Sequence, residues 1–192
     1  MAKKLVAEFL GTFCLVFAGT GAIVIDTVTG GAVSHVGVAL TFGLIVLAMI
    51  YTIGDISGAH INPAVTIGFF AARRFEARSV FPYVVCQCAG ALVASIALRC
   101  LFPQSAMLGA TMPAGSAMQS FVLEMILTAL LMFVILSVST GAREKGITAG
   151  IAVGAVIVLD ALFAGPICGA SVNPARSLAP ALVSGHFSGL WI

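Results

Sequence analysis

"ISGAHINPAVT" (residues 56–66) and "ICGASVNPARS" (residues 167–177) share Ile, Gly, Ala, Asn, Pro and a second Ala, every match displaced by 111 residues. The same displacement lays Gly54 on Gly165 and Gly43 on Gly154. Further upstream, "AEFLGTF" (7–13) weakly echoes "LEMILTA" (123–129), with Glu8 against Glu124. Short motifs recur by chance. One that keeps its flanking glycines and an upstream glutamate marks an internal repeat. Proline suits the first position of a helix, where no backbone N–H is needed, and asparagine caps that position. Asn62-Pro63-Ala64 and Asn173-Pro174-Ala175 are therefore each expected to start a short helix, over about 63–71 and 174–184.

The surroundings of the motif are greasy. The 192 residues are 60% hydrophobic and only 8% charged, against roughly a quarter charged in soluble domains. Apolar blocks near 5–25, 34–53, 80–102, 118–140 and 147–165 have the length that crosses a bilayer, about 20 residues at 1.5 Å each. Three spans separate the two copies of the motif. Three is odd, so the second copy enters the membrane from the opposite face. Inverted repeats of this kind place a permeation or binding site at the midplane between the halves. Neither short helix spans the bilayer alone, but two meeting at their N-termini do. Their non-helical approach segments are tolerated only where protein or water covers the backbone. The expected fold is an all-α membrane protein: one domain over 1–192, with inverted halves of about 1–102 and 118–192 and two re-entrant half-helices.

Lys3, Lys4, Arg73, Arg74, Arg78, Arg143 and Lys145 all fall on one side of such a topology, while "FPQSAMLGATMPAGSAM" after the third span carries no charge. The excess of Lys and Arg on cytoplasmic loops puts the N-terminus inside the cell, in a multi-pass protein of the cell membrane. A net charge of +2 gives no footprint for nucleic acid. The N-terminus superficially mimics a secretory signal, but Glu8 interrupts its apolar region, which runs on to Ile25. Cys14, Cys86, Cys88, Cys100 and Cys168 lack zinc-site spacing, so no metal and no cofactor are expected. A permeation path makes and breaks no bond in what crosses it, so no enzyme is expected.

The doubled motif, the upstream glutamates and the span pattern resemble the aquaporin, or major intrinsic protein, family along essentially the whole chain. "GAHINPAVTIG" and "GPICGASVNPARSLAPAL" are most similar to its bacterial and nodulin-like branches. Ser177 stands where glycerol facilitators typically carry Asp, and Asp55 where the family commonly has His. The resemblance implies a pore for water and small neutral solutes, in a homotetramer embedded in a lipid bilayer. It implies that Asn62 and Asn173 point their amides at the path. It implies an outer selectivity ring of Phe42, Ala161, Ala170 and Arg176, with Glu8, Glu124 and Gln87 supporting the loops. His60 would lie in the cytoplasmic half, lining the pore or gating it, or simply packing. In strict water channels the position of Ala161 is usually histidine, so alanine there implies a wider ring passing glycerol, urea and metalloid hydroxides. Asp160, next to Ala161, is not explained by the motif.

The displacement of 111 maps the start of the third span, near Val80, to residue 191, and the sequence given reaches Ile192. A sixth spanning helix is therefore expected to be absent from this chain, leaving either a truncated competent channel or a fragment that does not conduct. The principal functional rival is an ion-coupled secondary transporter, which also uses inverted repeats and broken helices. Asp55 and Asp160 are its only loose candidates for an ion-coupling site.

Overall fold

In a computed structural model the described residues are 1–139 and 147–191. Arg143 and Lys145 lie outside them. The described residues form seven helices and no strand: α1 (Ala2–Thr29), α2 (Ser34–Ser57), α3 (Pro63–Ala71), α4 (Ala77–Leu101), α5 (Ala117–Val138), α6 (Ile147–Cys168) and α7 (Pro174–Ser184). Five of them, all but α3 and α7, are long and apolar enough to cross a membrane. The expected spans are all present, with ends shifted by a few residues; the fourth, expected over 118–140, runs Ala117–Val138. The half-length helices begin at Pro63 and Pro174, where proline chemistry puts them.

Burial runs opposite to that of a water-soluble protein. Phe81, Phe133 and Phe163 on the spanning helices are 65–75% exposed, whereas Glu8, Thr12, Thr20, Gln87 and Ser120 are completely buried. Lipid solvates apolar side chains as readily as a protein core does, so polar groups retreat inward to find partners.

Packing follows the repeat. α1 lies along α4, α5 along α6, and α2 along both α1 and α6. The α2–α6 crossing brings Gly43 and Gly154, which are repeat equivalents, into close contact. A β carbon added to Gly43 would sit 2.5 Å from the Gly154 carbonyl oxygen, and one added to Gly154 would sit 2.8 Å from the Gly43 oxygen. Small residues at such crossings let backbones approach and gain contact that lipid cannot supply. The two halves thus touch through identical residues, as a pseudo-two-fold axis requires.

Gly43→Val should therefore force α2 and α6 apart, at about 1–3 kcal/mol by analogy with overpacked cores. Thermal unfolding in detergent micelles should show a clear loss of stability. Gly54→Ala should be silent, because a β carbon there meets nothing within 4 Å.

Candidate functional site

Asn62 and Asn173 have extended backbones, and their side-chain oxygens accept the Ala64 N–H at 2.8 Å and the Ala175 N–H at 3.1 Å. Each thereby caps a helix of 9 or 11 residues, about 14 or 17 Å long at 1.5 Å per residue. The amide nitrogens reach across to the other half. Asn62 Nδ2 donates to the Val172 carbonyl at 2.7 Å, and Asn173 Nδ2 donates to the Ile61 carbonyl at 3.0 Å. Ile61 and Val172 are themselves repeat equivalents. One N–H of each amide is spent on this exchange and one is left over.

The approach segments carry backbone strain in matched pairs. Gly58 and Gly169 have φ of 92° and 85°. Ala59 and Ala170 follow at 47° and 42°, and Ile61 and Val172 at 43° and 45°. Left-handed backbone is uncommon outside glycine and is an outlier for β-branched residues. It holds here because buried carboxyls grip the loops. Glu8 accepts the N–H groups of His60 (2.9 Å) and Ile61 (2.7 Å), and Glu124 accepts those of Ser171 and Val172, both at 2.8 Å. Gln87 Nε2 braces the first grip, donating to Glu8 at 2.7 Å and to Thr66 Oγ1 at 3.0 Å.

With the N–H groups held behind, six carbonyls have no hydrogen-bond partner among the described residues: those of Gly58, Ala59, His60, Gly169, Ala170 and Ser171. The loop residues 58–62 and 170–173 line one cavity of about 130 Å³, together with apolar side chains such as Val46, Leu131 and Val153. His60 also lines it. Its ring stacks on Phe69 at 4.7 Å and packs against Phe75 and Tyr83, while Nδ1 lies 3.1 Å from Thr66 Oγ1. Thr66 Oγ1 also lies 3.1 Å from the Asn62 carbonyl.

A second cavity of about 560 Å³ opens at the face where α1 ends. Among the described residues, the two cavities share four lining residues: Phe42, Ala161, Ala170 and Arg176. These four form the neck between the cavities. Arg176 is buried, donates from Nη1 to the Gly109 carbonyl at 3.0 Å, and has its Cζ 5.3 Å from the centre of the Phe42 ring. Its Nε has no partner among the described residues. Sequence reasoning missed the segment that supplies Gly109. That loop is tied by Arg99 Nη1 to the Ser105 carbonyl at 2.8 Å and by Thr111 to Ser177 at 2.7 Å. Its only sequence signal was the lack of charge. Asp55 is exposed, and Asp160, though buried, lines neither cavity and leaves Oδ2 without a partner.

Glu8→Ala would strand two backbone donors in a dry interior, each at about 1–3 kcal/mol. Unfolding in detergent should show a loss of roughly 3 kcal/mol or more, with Glu8→Gln, which keeps one acceptor, falling between. Wild-type stability in Glu8→Ala would show that the grip does not hold the loop.

The comparisons with known proteins converge on the same architecture. The model of the major intrinsic protein family matches residues 1–192. Aquaporin NIP1-3 of Oryza sativa subsp. japonica is 48% identical over 194 residues, covering 100% of this chain and 67% of its own length. Probable aquaporin NIP4-2 of Arabidopsis thaliana is 47% identical over 194 residues, covering 100% of this chain and 68% of its own length. Among solved structures, the aquaglyceroporin from Plasmodium falciparum matches with a TM-score of 0.87 and 29% identity, over 98% of this chain and 83% of that one. With its inverted pair of capped half-helices and full-length match to the family model, this chain belongs to the major intrinsic protein family of multi-pass membrane channels.

Proposed function

We propose that this protein is a passive channel for water and small uncharged solutes that excludes protons and ions. The observation that carries the reading is the content of two cavities that share four lining residues. Six residues whose carbonyls have no partner among the described residues, two half-used asparagine amides and Arg176 adjoin them, and their other walls are largely apolar. A molecule leaving water loses hydrogen bonds that are costly to leave unmade. Carbonyl acceptors along the path and amide donors at its middle replace them. No bond in the solute is made or broken.

Charge exclusion follows from the same geometry. Each half-helix presents about half a positive charge at its N-terminus, and the two ends meet where Asn62 and Asn173 cross-bond. Cations, including hydronium, meet that field and then Arg176, the barrier known for aquaporin-type pores. The spare N–H groups of both amides call for the oxygen of a passing water. They turn its protons outward and break a continuous proton wire.

Phe42, Ala161, Ala170 and Arg176 serve as the selectivity filter. Two of the four are alanine, so the neck is wide and partly apolar for a water channel. Glycerol, urea and the neutral hydroxides of metalloids are its proposed solutes besides water. The distribution of basic residues supports a cytoplasmic N-terminus in the cell membrane, which makes the larger cavity the outer vestibule. The family resemblance supports a homotetramer.

Stopped-flow light scattering on proteoliposomes tests the reading. The protein should give fast water and glycerol equilibration with a low activation energy, unaffected by collapse of ion gradients. Saturable flux that stops with the gradient would establish a coupled transporter instead. Ala161→His should reduce glycerol permeability about tenfold or more, the scale on which a filled pocket rejects a bulkier molecule, and leave water permeability within about twofold. Unchanged glycerol flux in a well-expressed variant would remove Ala161 from the filter.

A further inference from the structure

The outer vestibule contains a side chain that the repeat does not account for. His35 stands in the first turn of α2 and lines the same cavity as Phe42, Ala161, Ala170 and Arg176. Its place is fixed from two sides. Asp26 Oδ1, at the end of α1, accepts the N–H groups of Val33 at 3.1 Å and Ser34 at 2.7 Å, tying down the start of α2. On the other side, His35 Nε2 reaches the Leu162 carbonyl of α6 at 2.9 Å, one residue from Ala161.

The ring lies against Gly165, where an added β carbon would come within 3.0 Å of His35 Cε1. Gly165 has Gly54 as its repeat equivalent, yet a β carbon at Gly54 would meet nothing within 4 Å. The second-half glycine thus has a use that its twin lacks, and that use is to seat this imidazole.

A carbonyl oxygen only accepts, so the bond to Leu162 puts the proton of the neutral ring on Nε2. Nδ1 then holds a lone pair, and among the described residues it has no partner. Arg176, on the wall of the same vestibule, only donates. One cavity therefore combines a donor-only side chain at the neck with an unpaired acceptor at its mouth. That pairing suits a neutral molecule with both an acceptor oxygen and a hydroxyl or amide proton, long enough to address two walls at once. Water has no such reach.

We propose that His35 is a solute-contacting specificity residue of this channel, presenting the unshared nitrogen of its imidazole to the hydroxyl or amide protons of small polar solutes entering the neck. The assignment rests on the channel reading above. It deepens the filter by one residue: the chain has alanine at position 161 and brings an imidazole from α2 to the adjoining carbonyl instead. The ring sits above the neck, adding an acceptor without narrowing the four-residue constriction.

The test compares wild type, His35→Phe and His35→Gln in proteoliposomes, reading the glycerol-to-water permeability ratio. Phenylalanine keeps the ring's bulk and removes both nitrogens. Its ratio should fall about three- to tenfold, the scale of one lost hydrogen bond, with water permeability within about twofold of wild type. Glutamine can donate to the Leu162 carbonyl and still present an acceptor, so it should restore most of the ratio. A His35→Phe ratio equal to wild type would overturn the assignment, as would parallel loss of water and glycerol flux. An equal fall in both variants would reduce His35 to a packing role. Wild-type vesicles no faster than protein-free ones for either molecule would overturn the channel reading itself, and this assignment with it.

Discussion

Two helix ends of like polarity meet in the middle of this protein, and a reciprocal pair of hydrogen bonds holds them there. Asn62 donates to the Val172 carbonyl and Asn173 to the Ile61 carbonyl. Half-helix dipoles arranged nose to nose repel, and nothing in a bilayer core would screen them. The exchange brings each positive end against a carbonyl oxygen from the other loop. Behind it the Glu8 and Glu124 carboxyls take up the backbone donors of the same two loops. The positive field of the two helix ends and the contact that closes the fold are thus two aspects of one arrangement.

That arrangement explains where strain is tolerated. Ile61 and Val172 are β-branched residues with left-handed backbones, a conformation that their own side chains oppose. Each is fixed at both polar backbone groups, its N–H by a glutamate and its carbonyl by the distant asparagine. The twisted segments before them leave three carbonyls in each loop without partners among the described residues. In a water-soluble protein such groups would meet bulk solvent. Here the residues that bear them line the cavities between the helices.

Much of this was legible in the chain. Asn-Pro-Ala, read through capping and proline chemistry, put the starts of both half-helices at the right residues. The repeat paired Glu8 with Glu124 and Gly43 with Gly154. The partners were less legible. No local pattern says that an asparagine amide will find a carbonyl more than a hundred residues away, and local propensity argues against left-handed Ile61 and Val172. Gly109, which accepts from Arg176, sits in a loop that the repeat does not cover. His35 had no motif at all and emerges only when α2 is laid against α6. Asp160 was flagged, yet its Oδ2 has no partner among the described residues and it lines neither of the two cavities above.

The mutual dependence of the two loops has a consequence for biosynthesis. A nascent chain emerges from the ribosome in order, so residues 56–66 enter the membrane well before residues 167–177 have been translated. Until Val172 and Asn173 arrive, the Asn62 amide and the Ile61 carbonyl lack the partners that they have in the finished fold. The insertion machinery must shelter that unfinished turn while more than a hundred further residues are made. The last step of maturation is then a mid-bilayer docking of early and late segments, in place of independent folding of two duplicated halves.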